Sequence, residues 1–334
     1  MMAPTAKSDS DPLAARSGDV DRRVREPGPA SGAALDVVLV VDKPLGLTSF
    51  DVVRRVRRAA GARRVGHGGT LDPAATGVLP VCLGEATKLA QFLLDADKQY
   101  DFTVCFGVET DTDDAEGTVT GRRDAGAVDE AGVRRALEPF RGPITQVPPN
   151  YSALKRAGRP LYDYARAGET VEAAPRGVVV HELELTSFAG SAAVGLTMRC
   201  SKGTYVRALA RDLGRALGVG AHVTALRRTR SGPFALADAR PLEEVLAALT
   251  AGDRASLPLV EPAEALRHLE QRVVTDGVAQ DARFGRRIEM ATLVEAGAST
   301  GDNRLCLLDS RGKLVAVGRP RADQTLELLR VFNA

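Results

Sequence analysis

Tryptophan is absent from the 334-residue chain, and aromatic residues make up only 4% of it. Any flat aromatic face that a ligand requires must therefore come from the nine phenylalanines or five tyrosines. Cysteine is scarcer still. Cys82, Cys105, Cys200 and Cys306 are scattered with no Cys-x-x-Cys pair, which excludes a zinc ribbon or a disulfide scaffold and fits a reducing, cytoplasmic setting. No apolar run approaches the roughly 20 residues that a bilayer span needs. Residues 1–33 lack the apolar core of a secretory signal. Their near-cancelling charges and richness in Ala, Pro, Gly and Ser predict a disordered tail.

Nucleotide and metal motifs are missing as well. Gly-x-x-x-x-Gly-Lys-[Ser/Thr] occurs nowhere, and "GHGGTL" (66–71) fails the dinucleotide fingerprint because Leu71 stands where the third glycine belongs. The four histidines form no His-Glu-x-x-His. The acidic "ETDTDDAEGTV" (109–119) puts Glu116 where a calcium loop needs Gly, and Arg122 where it needs Glu. "GASTG" around Ser299 matches a nucleophile elbow, but it sits in a Gly/Ser loop where chance matches are common. The sequence thus predicts chemistry with no metal and no cofactor.

What is present is arginine. The formal net charge is only +2, yet the chain has 38 arginines against seven lysines. "RRVRRAAGARR" puts six arginines into eleven residues, and "LRRTRSG" adds Arg227, Arg228 and Arg230. Clusters of this kind are candidate phosphate contacts. We take Arg54, Arg57, Arg58, Arg63, Arg64, Lys155 and Arg228 as candidate contacts to a phosphate backbone; the competing reading of the arginine run is a solvated helix face.

The element pattern is α+β. "LDVVLVVDKP" reads as a buried strand, and "LTSFDVVRRVRRAAGA" as a helix capped by Thr48 or Ser49 with Val53 and Val56 inward. Gly66–Pro80 reads as a loop, "GEATKLAQFLLDAD" as a helix, and "KQYDFTVCFGVET" as a strand. "VVVHELELTSF" and "VGLTMRCS" alternate like paired strands, followed by the helical "KGTYVRALARDLGRALG". A Pro-containing break near Ala255–Pro262 divides a larger unit (34–254) from a smaller β-rich one (255–334), where "RLCLLDSRGKLVAVG" predicts a hairpin.

The loop "GHGGTLDPAATGVLP" carries a single carboxylate, Asp72, in a frame of glycines and prolines. Glycine lets another backbone approach closely and proline stiffens the turn, so the acid reads as presented to a ligand. This segment, continued through "VCLGEATK", closely resembles the tRNA pseudouridine-55 synthase family, called TruB. Further similar stretches are "VDKPLGLTS", "DKQYDFTVCFGVETDTDDAEG", "YSALKRAGRPLYDYARAG", "CSKGTYVRALARDLG" and "GAHVTALRRTRSG", together spanning Val38 to about Gly232.

The resemblance implies a pseudouridine-synthase fold, with a mixed, largely antiparallel sheet flanked by helices and a small C-terminal PUA-like RNA-binding domain. It implies that Asp72 is the catalytic carboxylate, that Tyr100 stacks on the target base, and that Arg207 pairs with Asp72. It places Tyr205 and Leu226 around the uridine, His67 against the RNA, Lys43 and Lys88 near the site, and 148–168 as a loop closing over RNA. The implied substrate is the T-arm stem-loop of tRNA, bound by a monomer. Pseudouridine formation is redox-neutral and hydrolyses nothing, in keeping with the missing cofactor motifs. Two other roles fit parts of the pattern: a non-catalytic tRNA-folding protein, and a guide-RNA-dependent synthase subunit of the dyskerin type. One departure lies inside the central motif. Position 68 is Gly where the family usually has Thr, which implies that the backbone there accepts a side chain.

Overall fold

The computed structural model describes residues 35–333, apart from 150, 153, 157, 161–163, 165, 166, 168, 170–172 and 294–302. The tail 1–33 and the elbow-like Ser299 lie outside the described residues, as does much of the expected closing loop.

Strand β1 (Val38–Lys43) opens the main sheet. Its apolar run is continuous because both faces are covered. Leu39 and Val41 pack in a cluster with Val52 and Val56, while Val38 and Val40 join a second cluster with Phe92, Leu266 and Phe332. Helix α1 (Ser49–Ala59) starts on Thr48, whose hydroxyl accepts from Asp51 N while the Asp51 carboxylate accepts from Thr48 N, a complete capping box. Its buried face carries Val52, Val53 and Val56, leaving the arginines outside.

The expected Gly66–Pro80 loop is shorter in the structure. Its ends are strands, β2 (Val65–His67) and β3 (Ala75–Leu83), so only 68–74 is irregular. Pro80 is tolerated in β3 because its carbonyl accepts from Gly68 N at 2.8 Å where β2 has already ended. After β3 the expected single helix divides into a tight 3₁₀ segment, Gly84–Leu89, and the short helix α2 (Ala90–Asp95). The Thr87 hydroxyl donates to Gly84 O at 2.7 Å, favouring the tighter turn.

Next come β4 (Lys98–Phe106), the ribbon β5 (Val108–Thr110) and β6 (Val119–Arg122), helix α3 (Glu130–Leu137), and β7 (Gly142–Gln146). A minimal ladder, β8 (Lys155–Arg156) and β9 (Arg159–Pro160), precedes the long β10 (Arg176–Phe188) and β11 (Val194–Cys200). A helix, Val206–Ala216, then leads into β12 (Ala221–Ser231). The main path of the sheet is β1-β3-β12-β4-β11-β10-β7, and within it only β3–β12 is a parallel pair. That pairing is close. At Gly77, opposite Arg228, an added Cβ would lie 2.2 Å from Arg228 O, and φ is 106°, so only glycine serves.

Beyond β12 the helix Leu242–Ala251 packs on α1, and Leu259–Val260 pairs with β1, so the chain stays on the main sheet to that point. A second, five-stranded sheet follows, in the order 270–273, 305–308, 314–320, 325–331, 288–289. Its 305–308 and 314–320 strands form the expected antiparallel hairpin. Cys306, Leu308, Val317 and Phe332 share one apolar cluster with Val38, Val78 and Phe92, which binds the two sheets together. Among the described residues, no helix is long and apolar enough to cross a membrane.

Candidate active site

Asp72 lies in the 68–74 loop, and Arg207 is the second residue of the Val206–Ala216 helix. The two meet at 2.8 Å, from Nη2 to Oδ2, with the guanidinium side chain only 5% exposed and the carboxylate 37% exposed. A buried cation thus backs a carboxylate that faces an opening. Arg207 is held from other directions as well. Nη1 donates to Thr112 O at 2.7 Å and lies 3.4 Å from Asp114 Oδ2, while Nη2 also donates to Tyr151 O at 3.0 Å. With every contact charge-assisted, the guanidinium has little freedom to turn.

The cleft in front of Asp72 is lined by Ala75, Asp114, Arg207, Val223 and Leu226 among others. Register places the remaining groups. Leu226 pairs with Phe102 and Ala75, and Tyr100 pairs with Arg228, so Tyr100 and Leu226 share one face of the sheet. Burial pushes the Tyr100 and Tyr205 phenols above their ordinary range, and the negative charge of Asp72 acts on both in the same direction. Tyr205 is clamped at its backbone: its N–H donates to Gln146 Oε1 at 3.0 Å, and Gln146 Nε2 donates to its carbonyl at 3.3 Å.

Lys43 is fully buried, and its ammonium donates to Leu47 O at 2.7 Å, Pro44 O at 2.9 Å and Pro73 O at 3.4 Å. It ties the end of β1 to the residue after Asp72. Burial lowers its pKa to about 8, against the opposing pull of Asp72. His67 accepts from Gly69 N at 3.4 Å through Nδ1, and burial followed by the Arg228 charge lowers its pKa, so the ring is neutral with its proton on Nε2.

Two expected residues are placed elsewhere. Arg228, taken from the sequence as a phosphate contact, is 1% exposed. Its Nε, Nη1 and Nη2 donate to Val78 O at 2.8 Å, Thr70 O at 3.1 Å and Gly69 O at 3.1 Å. It braces the loop that carries Asp72 from β12, where the register sets it opposite Tyr100. Lys88 is engaged away from Asp72: its ammonium pairs with Glu85 at 2.5 Å, donates to Val331 O at 2.7 Å and lies over the Phe332 ring. Arg57, Arg58 and Arg63 are exposed and form no ion pair among the described residues, whereas Arg54 pairs with Asp51 and Arg64 with Glu85. The side chain of Lys155 lies outside the described residues.

Sequence reasoning missed Asp114, Gln146 and the internal role of Arg228. Asp114 belongs to the acidic stretch set aside as a failed calcium loop, and its position beside Arg207 is the role that stretch plays.

The fold has close relatives of known structure. The chain superposes on the structure of a Cbf5–Nop10–Gar1 complex with a TM-score of 0.72 at 28% identity, covering 89% of this chain and 85% of that one. It also superposes on an H/ACA RNP bound to a substrate RNA containing 2′-deoxyuridine, with a TM-score of 0.69 at 26% identity, covering 90% and 86%. Fold and site together define a pseudouridine synthase. Residues 57–206 match the TruB family pseudouridylate synthase N-terminal domain, and residues 207–269 the tRNA pseudouridylate synthase B C-terminal domain. The tRNA pseudouridine synthase B of Burkholderia mallei is 48% identical over 86% of this chain and 93% of its own length. Those of Chromohalobacter salexigens (48%, covering 80% and 87%) and Aromatoleum aromaticum (46%, covering 90% and 93%) are similar in extent. The chain belongs to the TruB family of tRNA pseudouridine synthases. It is an isomerase that acts on uridine in tRNA.

Proposed function

We propose that the target is the T-loop uridine at position 55 of tRNA, isomerised in the cleft before Asp72. The observation that carries this reading is the half-open Asp72 carboxylate on the buried Arg207 guanidinium, 2.8 Å apart. The reaction breaks the N1–C1′ bond, turns the uracil and joins C5 to C1′; C5 gives up its proton and N1 takes one up, so composition and oxidation state are unchanged. Asp72 supplies the carboxylate at the glycosidic bond, as nucleophile, base or counter-charge, and Arg207 fixes its position.

The base leaves the RNA stack to reach Asp72. Tyr100 offers it an aromatic face, a contact of about 1–3 kcal/mol per base in nucleic-acid complexes. Leu226 and Tyr205 wall the pocket, and neutral His67 donates toward the RNA through Nε2. Lys43 acts through the backbone next to Asp72. Arg57, Arg58 and Arg63 receive phosphates, with Arg54, Arg64 and Lys155 around them. Arg228 and Lys88 support the protein side of the interface through the internal contacts described above. Residues 34–254 form the catalytic domain and 255–334 a PUA-like RNA-binding domain, in a cytoplasmic monomer.

The test is to incubate the purified chain with an unmodified tRNA transcript and, separately, with an isolated T-arm stem-loop, and to map pseudouridine by primer extension. Modification of both at the T-loop uridine is expected. Modification at another site, or a strict need for the whole tRNA body, refutes the T-arm reading. A tRNA-folding role without chemistry predicts binding with no pseudouridine at all, and the polarised Asp72 has no part in it.

A further inference from the structure

What keeps Arg207 aimed at Asp72 is the placement of two backbone carbonyls, Thr112 O and Tyr151 O, which accept from its two terminal nitrogens. These carbonyls belong to separate segments. Thr112 lies in the acidic turn between β5 and β6, and Tyr151 follows β7.

Arg211 holds both segments. It stands four residues after Arg207 on the same helix, so the two side chains emerge one above the other on one face. Its Nη1 pairs with Asp113 Oδ2 at 3.1 Å, and its Nη2 donates to Val147 O at 2.8 Å. Asp113 is the neighbour of both Thr112 and Asp114, and Val147 directly follows β7 on the way to Tyr151. Both partners of the ion pair are nearly buried, with side chains 11% and 12% exposed. Nε of Arg211 is taken by Asp212 Oδ1 at 2.9 Å, which fixes the plane of the guanidinium.

Asp113 also holds a left-handed backbone, with φ at 60°. A non-glycine residue persists in that conformation when its surroundings over-determine it. Here the surroundings are Arg211 on the side chain and Val223 N, which donates to Asp113 O at 3.1 Å. Asp113 and Asp114 therefore grip successive turns of one helix through Arg211 and Arg207, like two rungs of a ladder.

We infer that Arg211 is a positioning residue for the isomerisation: through Asp113 and Val147 O it fixes the two segments whose carbonyls aim Arg207 at Asp72. The inference rests on Asp72 and Arg207 being the reacting pair. It concerns orientation, so its signature is a loss of rate with tRNA binding intact. A misplacement of about 1 Å near the reacting atoms can cost on the order of a hundredfold in rate.

The experiment compares full-length Arg211→Met, Arg211→Lys and Asp113→Asn in single-turnover assays with saturating protein, alongside filter-binding affinity for the same tRNA and thermal melting. Arg211→Met is expected to lose roughly tenfold to a hundredfold in rate, with affinity within about twofold. Arg211→Lys recovers part of the rate, since an ammonium reaches Asp113 but cannot hold Val147 O at the same time. Asp113→Asn keeps the shape and tolerates the left-handed backbone, so it isolates the ion pair and loses less than Arg211→Met. If Arg211→Met unfolds, Asp113→Asn and Arg211→Lys decide alone: wild-type rates in both overturn the inference, and a rate loss with intact affinity in either upholds it. Rate and affinity falling in parallel also overturn it. Asp72→Asn serves as the control for the underlying reading. An active Asp72→Asn refutes the reacting pair itself, whereas an inactive Asp72→Asn beside a fully active Arg211→Met refutes only the role given to Arg211.

Discussion

Replacing Gly68 by threonine tests the packing of the loop that carries Asp72 directly. The family resemblance implied that position 68 tolerates a side chain, and its backbone is not left-handed, so conformation alone does not forbid one. Space does. A Cβ built on Gly68 lies 2.8 Å from Leu93 Cβ and 2.9 Å from Leu93 Cδ1, both closer than real Cβ atoms approach carbon. Rotating Leu93 removes the second contact but not the first, because both Cβ atoms are set by backbone. Leu93 is 1% exposed on α2 and packed with Phe92 and Leu89, so it has nowhere to retreat. The correction is that a neighbour from α2 occupies the room the family's threonine would use.

Overpacking of this kind costs about 1–3 kcal/mol. In a chain of this size that lowers the melting temperature by roughly 2–4 °C per kcal/mol. Leu93→Ala alone costs about 2–5 kcal/mol, yet it vacates the contested space. The Gly68→Thr/Leu93→Ala double variant is therefore expected to be more stable than the sum of the singles by about 0.5–3 kcal/mol. Calorimetric melts of the four proteins measure this, and single-turnover assays show whether the loop carrying Asp72 has moved. A Gly68→Thr protein that melts with its parent and turns over normally, or a strictly additive double variant, refutes the reasoning.

Asp72→Asn should lower pseudouridine formation by at least about a thousandfold while tRNA affinity changes little; residual turnover above background in single-turnover assays removes Asp72 from the chemistry. Arg228→Met leaves the buried carbonyls of Val78 and Gly69 without this donor, at about 1–3 kcal/mol for each unsatisfied group, and should appear in urea unfolding as a shifted midpoint with an unchanged slope. Burial lowers the pKa of Lys43 and Lys98 to about 8, below the ordinary lysine value of 10.5; each group therefore adds stability as pH rises from about 8 toward 10.5, so a fall in turnover above pH 8 should come without a matching fall in melting temperature, and parallel losses would refute a local cause. Arg57→Ala with Arg58→Ala should weaken tRNA binding and reduce the salt slope by about one to two units; an unchanged slope returns that helix face to solvent.

The legible part of the molecule was the part written in contiguous stretches. The capping box at Thr48 and Asp51, the doubly covered β1 and the hairpin at Leu305–Pro320 depend on residues a few positions apart, and their patterns survive in one dimension. Asp72 stood out because its charge was isolated among glycines and prolines. Its pairing with Arg207, 135 residues on, followed only from the resemblance, since neither spacing nor composition connects them.

What escaped reading was the set of cations turned inward. Arg228, Lys43 and Lys98 are charged residues whose donors end on backbone carbonyls, three for each of them. In sequence, a guanidinium that braces a loop and one that meets a phosphate are the same letter, and "LRRTRSG" contains the first kind where the second was expected. The physical difference lies in what faces them. A loop built from Gly68, Gly69 and Pro73 has little secondary structure to satisfy its carbonyls, so it must import donors from neighbouring strands. The glycines and prolines around Asp72 therefore create a demand for donors that Lys43 meets at Pro73 O and Arg228 at Gly69 O and Thr70 O, while Lys98 serves the carbonyls at the end of α2. By the same logic the acidic turn at Asp113 and Asp114, whose spacing does not match a calcium loop, became legible only once Arg207 and Arg211 were seen to need anions. The candidate site is thus a local motif set on a nonlocal scaffold of arginine and lysine, and in this chain the scaffold holds most of the information that the motif leaves out.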